Sequence, residues 1–127
     1  MAGDPSRPTP VYQVVEGYGP ARFRISGEVY ETSVIVFPER TIEWKIPSFE
    51  ELTPSDFAPI MEASEVIEIL LLGCGTRMEL VPRSLRDPLR AAGIVIEPMD
   101  SGAAARTYNV LLSEDRRVAA ALIALPN

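Results

Sequence analysis

Apolar and polar residues alternate near the start of the chain, and the period changes further along. Arg22-Phe23-Arg24-Ile25 puts Phe23 and Ile25 on one face, which predicts a short strand closed by a Ser26-Gly27 turn. Val29 to Phe37 predicts a longer second strand. Ile42, Trp44 and Ile46, interleaved with Glu43 and Lys45, predict a third with one wet face. Pro38 and Pro47 punctuate these runs, and Pro5, Pro8, Pro10 and Pro20 mark the opening as poor in regular structure. Residues 1–17 are therefore expected to form a flexible tail, with Val11 to Val15 laid along a single domain at 18–127.

From Leu52 the period becomes helical. Thr53, Pro54 and Asp56 supply a capping hydroxyl, a first-turn proline and an acid, predicting a helix to about Ala63 that buries Phe57, Ile60 and Met61. Pro59 removes a backbone hydrogen bond inside it, so the helix should be short or broken. Val66 to Leu72 is an aliphatic run halted by Gly73-Cys74-Gly75, the pattern of a buried strand leaving by a tight turn. A second helix follows from Arg83 to Ala92, with Leu85, Leu89 and Ala92 inward, stopped by Gly93. Ile94-Val95-Ile96 reads as a strand. A third helix, capped by Ser101, turns Ala104, Tyr108, Leu111 and Leu112 inward. Arg117 to Leu125 closes the chain as a strand.

The order β-β-β-α-β-α-β-α-β predicts an α/β protein with α+β character. Its expected form is a three-layer arrangement in which a central mixed sheet carries antiparallel N-terminal strands, then β-α-β-α-β, with helices packed on it.

Composition narrows the chemistry. The chain has 127 residues, 46% of them hydrophobic and 24% charged, as expected for one soluble globular domain. No apolar run approaches the roughly 20 residues of a membrane span. No secretory signal or transit peptide is read at the N-terminus. A single cysteine, Cys74, fits a reducing cytoplasm. The net charge of −6 argues against nucleic acid as partner. Histidine is absent, which removes Ser-His-Asp and Cys-His nucleophiles and histidine metal sites. No cofactor or metal is expected.

Three groups of residues remain as candidates. Gly73, Cys74, Gly75 and Arg77 stand at a strand's carboxyl end, where open α/β sheets hold ligands, and would take an anion or nucleotide. Glu97, about 20 residues on, occupies the place of a ribose-binding acid. Against this, position 78 is Met rather than a third glycine, and no Gly-Lys-Ser/Thr follows. The plain alternative is a glycine pair that permits a sharp strand exit around an inert thiol. Arg83, Arg86 and Arg90 share one helix face within roughly 60° of arc. They read either as a solvated helix face, as solubility demands, or as a partner-binding candidate, since arginine is favoured at interfaces and for bidentate carboxylate contacts. Asn109, on the outer face of the third helix, joins them as a residue expected to make a specific hydrogen bond. The acid-rich stretch from Glu39 to Glu68 reads as solvated surface.

Gly73-Cys74-Gly75, Pro82, Gly93-Ile94-Val95, Ala104, Arg106 to Leu111 and Glu114 to Leu122 together resemble one small domain-of-unknown-function family. The resemblance covers about residues 18 to 125 and is to a bacterial member. Eukaryotic members include the mitochondrial NADH:ubiquinone oxidoreductase (complex I) assembly factor 3 and an adipogenesis-associated protein. It implies a three-layer fold, no catalytic residues, and a non-enzymatic role holding early respiratory-complex subunits together. The expected function is a protein-binding assembly or chaperone-like factor with a respiratory-complex subunit as partner. The alternatives are a small-molecule or nucleotide binder at the glycine turn, or a domain whose role is homo-oligomeric.

Overall fold

The structure is a computed structural model that describes residues 12–46 and 48–126. Residues 1–11 of the expected flexible tail and the punctuating Pro47 lie outside those residues. Two sheets form. The smaller is an antiparallel meander of β1 (Val15–Gly19), β2 (Arg22–Ile25) and β3 (Glu28–Tyr30). The larger contains β4 (Val34–Val36), β5 (Thr41–Glu43), β6 (Ile69–Gly73), β7 (Val95–Met99) and β8 (Val118–Leu122), in the order β5-β4-β8-β6-β7. Within it β6, β7 and β8 are parallel, while β4 runs antiparallel to β8 and β5.

β6 and β8 occupy the centre and are covered on both sides, which is why they read as continuous apolar runs rather than alternating ones. Leu70 and Leu72 of β6, Ala119 and Ala121 of β8, and Ile35 of β4 face one side. There they meet Phe57, Ile60, Leu85 and Leu89. These come from a 3-10 turn at Pro54–Phe57, from α1 (Ala58–Glu62) and from α2 (Arg83–Ala91). Leu71, Val118, Ala120, Leu122, Val34 and Val36 face the other side. They pack under α3 (Ser101–Ser113), through Ala104, Ala105, Tyr108 and Leu112, and under Val15, Phe23 and Ile25 of the small sheet. The expected three layers are present, but one outer layer is shared between a helix and a sheet.

That sharing accounts for the differences from the sequence pattern. The run Val29 to Phe37 is not one strand. It bends at Glu31–Ser33, because its first part belongs to the small sheet and its second to the large one. Of the expected N-terminal strands, the second half of Val29–Phe37 (β4) and the Ile42 strand (β5) form the antiparallel flank of the central sheet, while Arg22–Ile25 and Val29–Tyr30 belong to the small sheet. β1 begins at Val15, so the boundary drawn at 17 between tail and domain falls inside a strand. Asn109 binds that strand's start. Its Oδ1 accepts from Val15 N–H at 3.0 Å, and its Nδ2 donates to Val15 O at 2.7 Å. Tyr108 hydroxyl donates to Gln13 O at 3.0 Å. The third strand is shorter than its alternation, ending at Glu43, with Trp44 buried against Phe57 and its indole donating to Asp56 O at 2.8 Å.

The helix expected from Thr53 is broken as Pro59 requires, into a 3-10 turn and a five-residue α1. Thr53 N–H and hydroxyl both donate to the Asp56 carboxylate, at 2.8 and 3.1 Å. Met61, expected inside, lies on the outer side of α1 and is exposed. α3 is capped by Asp100, whose Oδ1 accepts from Ala103 N–H at 2.8 Å, and not by Ser101.

Phe23 is fully buried under the small sheet, while Val29 two positions into the next strand is open. Phe23→Ala should cost about 3–5 kcal/mol and Val29→Ala about 0.5 kcal/mol or less, as read from urea unfolding midpoints. Equal costs would mean that the meander is not packed on α3 and the central sheet.

Candidate functional site

The glycine turn at the carboxyl end of β6 is built around Ser101. Gly73 carries no side chain because a Cβ there would stand 2.9 Å from Ser101 Cα and 3.0 Å from Leu122. Gly75 turns the chain at a φ of +100°, a conformation that glycine adopts without strain. Gly75 N–H donates to Ser101 Oγ at 2.9 Å, and Ser101 Oγ donates to Ile123 O at 2.6 Å. Ser101 N–H donates to Gly75 O at 2.8 Å, Cys74 N–H to Met99 O at 2.8 Å, and Ile123 N–H to Gly73 O at 2.9 Å. One hydroxyl therefore ties the ends of β6 and β8 to the first residue of α3.

These bonds decide what the turn can do. An anion cradle needs free amides at a helix start, and here the amides of Cys74, Gly75 and Ser101 are all taken by the protein itself. The Asp100 carboxylate occupies the amide of Ala103, and the Tyr18 ring lies against Gly102 with its hydroxyl accepting from Arg106. Cys74 is buried, and burial pushes its thiol above the ordinary value, with acids at Glu79 and Asp100 adding to the effect. Such a thiol is poorly ionised and poorly nucleophilic. Arg77 points outward on the following loop, 3.9 Å from Glu79. Glu97 is in register with Leu71 rather than with the turn.

The arginines divide differently from the sequence grouping. Arg86 and Arg90 meet Ile94, Val95 and Ile96 around a groove of about 190 Å³ beside β7. Arg83, one turn earlier on α2, is exposed and does not line it. Among the described residues none of the three is within ion-pair distance of a carboxylate; the pairs formed are Arg24–Glu16, Arg77–Glu79, Arg116–Glu68 and Arg117–Glu68. Asn109 is not part of this face. It lies on α3, across the central sheet from α2, with both polar atoms engaged by Val15.

A larger cleft of about 650 Å³ opens at the opposite end of the sheet, where β6 and β8 begin and β4 ends. Phe37, Ala63, Ile67 and Leu112 form its apolar wall, and its charges are mixed: Arg40, Arg116 and Arg117 against Glu39, Glu62 and Asp115. Arg40 lies 4.8 Å over the Phe37 ring. Arg117 is held by Glu68 at 2.7 Å. Sequence reasoning missed this cleft because it looked for ligands only at the strands' carboxyl ends. The adjacent Arg116-Arg117 before the last strand was the available signal.

Comparison with known proteins adds the following. A family model described as a protein of unknown function (DUF498/DUF598) matches residues 15–123. An uncharacterised protein of Rhodobacter capsulatus is 38% identical over 88% of this chain and 85% of its own length. The NADH dehydrogenase [ubiquinone] 1 alpha subcomplex assembly factor 3 of Danio rerio is 32% identical over 89% of this chain. The match spans 65% of that relative, a little under two thirds of its length. A solved structure described as an outer membrane protein from Bartonella henselae superposes with a TM-score of 0.85 at 35% identity, covering 91% of this chain and 98% of its own. No helix among the described residues is long and apolar enough to cross a membrane.

Two outcomes follow from the turn. Ser101→Ala orphans the buried Gly75 N–H and Ile123 O, so it should cost about 1–3 kcal/mol in chemical denaturation. No measurable loss would mean that water replaces the hydroxyl. Burial raises both the Cys74 thiol and the Tyr108 phenol above their ordinary values. The unfolded chain then releases these protons first, so stability is full below the ordinary thiol value of 9.0 and declines as pH climbs above it. A thermal midpoint that falls above that pH, and falls less in Cys74→Ala, is the expected result; a flat profile would contradict it.

Proposed function

Because the chain belongs to the DUF498/DUF598 family of proteins of unknown function, we propose that it acts as a non-enzymatic protein-binding module, an assembly factor for a respiratory NADH dehydrogenase. The observation that carries this is the 32% identity, along 89% of this chain, to a relative named as an assembly factor of that complex. Two features of the molecule support it. The carboxyl end of the central sheet, the usual ligand position, is filled by the chain's own Ser101, Asp100 and Tyr18. On α2, by contrast, Arg83, Arg86 and Arg90 are left without carboxylate partners among the described residues. Unpaired arginines beside apolar surface are the composition of a protein interface. The proposal places the chain in the cytoplasm, on the membrane-peripheral side of such a complex.

The test is a tagged pull-down from the native host, with mass spectrometry of what is recovered. Stoichiometric recovery of NADH dehydrogenase subunits is expected. Replacing all three arginines by glutamate should weaken association by about 2 kcal/mol or more, roughly 30-fold, while changing unfolding by about 1 kcal/mol or less. Recovery of the protein alone, or undiminished recovery by the triple variant, would remove the proposal or its arginine face respectively.

A further inference from the structure

Among the described residues, β7 is the outer strand of the large sheet and pairs with β6 alone. Val95 N–H donates inward to Glu68 O at 2.9 Å, and Met99 O accepts from Cys74 at 2.8 Å. Peptide groups alternate sides along a strand, so Val95, Glu97 and Met99 bond inward while Ile96 and Pro98 turn outward. Pro98 has no N–H to offer. The free edge therefore presents one donor, Ile96 N–H, and the carbonyls of Ile96 and Pro98. A proline at an edge is a common defence against long sheet-to-sheet pairing. A two-fold joint between copies of this chain would need a repeating ladder that this edge cannot supply. A short extended segment needs only the one donor and its neighbouring acceptors.

Alongside this edge α2 places two guanidinium groups. Arg86 and Arg90 flank the groove whose floor is the buried Ile94 and Ile96, with Val95 55% exposed at its lip. Asp87 is exposed on the helix between them, and Glu97 alternates to the other face of β7 from Ile96. No ion pair engages Arg86 or Arg90 among the described residues, in a chain whose net charge is −6. Four residues of helix advance roughly 6 Å along its axis. Alternate residues of an extended strand are spaced roughly 6.7 Å apart. Acids at every second position of a segment lying along β7 would therefore fall in step with Arg86 and Arg90.

We propose that this groove receives a short extended, acidic segment of the partner protein, which bonds through its main chain to Ile96 and sets alternate carboxylates on Arg86 and Arg90. The inference rests on the protein-binding reading above and names the chemistry of the partner. Apolar side chains on the segment's other positions would point to the opposite face and cover the exposed Val95. The guanidinium forks match carboxylates bidentately.

The experiment uses the whole chain and three fluorescein-labelled peptides: glutamate alternating with valine, lysine alternating with valine, and the glutamates gathered in one block. Fluorescence anisotropy is read at rising salt, and amide hydrogen exchange is followed residue by residue. The alternating acidic peptide should bind about tenfold or more tighter than the other two, and weaken with salt. It should slow exchange at Ile96, and lose about tenfold in affinity to the Arg86→Glu, Arg90→Glu double variant. Equal binding of the acidic and basic peptides, or binding with no protection at Ile96, would overturn the assignment. So would protection centred on the glycine turn or the large cleft, or self-association that protects Ile96 without peptide. If the pull-down recovers a partner and the peptides fail, the partner reading stands and the strand-edge groove falls. If the peptides bind and the pull-down fails, the groove stands and the respiratory partner falls.

Discussion

Burial of β6 and β8 on both faces is the constraint from which the remaining architecture follows. Leu70, Leu71 and Leu72 in one strand and Val118 to Leu122 in the other have no wet side. At about 25 cal/mol per Å² of apolar surface, leaving either face open would cost far more than a small domain's net stability. Two covering layers are therefore required. The right-handed crossovers of parallel strands place α2 on one side and α3 on the other. One helix is too narrow to cover a whole face of a five-stranded sheet, and the β1–β3 meander covers the rest beside α3. Three consecutive alanines in β8, all fully buried, let both layers approach the centre closely.

That two-sided packing also explains where chemistry is and is not available. α3 comes down on the end of β6 so tightly that Gly73 has no room for a Cβ, and Ser101 then satisfies the turn's polar groups internally. A turn that resembles an anion cradle in sequence is consumed as a structural joint. The unspent polar capacity lies at the margins instead. It is found on the exposed side of α2, along the β7 edge, and in the mixed-charge cleft where β6 and β8 begin.

The two margins differ in kind. The large cleft balances its cations with acids, so it selects no ligand charge. Among the described residues, the arginines of the α2–β7 groove pair with no acid, and they stand beside a strand edge suited to a short neighbour. The asymmetry sets a local basic strip on a chain that is acidic as a whole.

Much of this was legible along the chain. The period-2 stretch at Phe23 and Ile25, the helical stripe of Leu85 and Leu89, and the aliphatic run ending at Gly73 all express local burial, which a residue's neighbours in sequence record directly. Pro59 foretold the broken helix because its missing N–H is a local fact. Which sheet a strand joins is not local: Val29 to Phe37 reads as one apolar run, and only packing assigns Val29–Tyr30 to the meander and Val34–Val36 to the centre. The same holds for Ser101 and Asp100, adjacent residues either of which could cap α3. The serine is drawn away because Gly75 and Ile123, distant in sequence, arrive beside it needing a partner. Asn109 needed Val15, and the arginine row needed β7 as its neighbour, before their roles could be told apart. Local periodicity is set by which residues must leave water, so the sequence alone determined the elements. Hydrogen-bond partners and edge exposure depend on what comes alongside, so only the tertiary structure decided the sites.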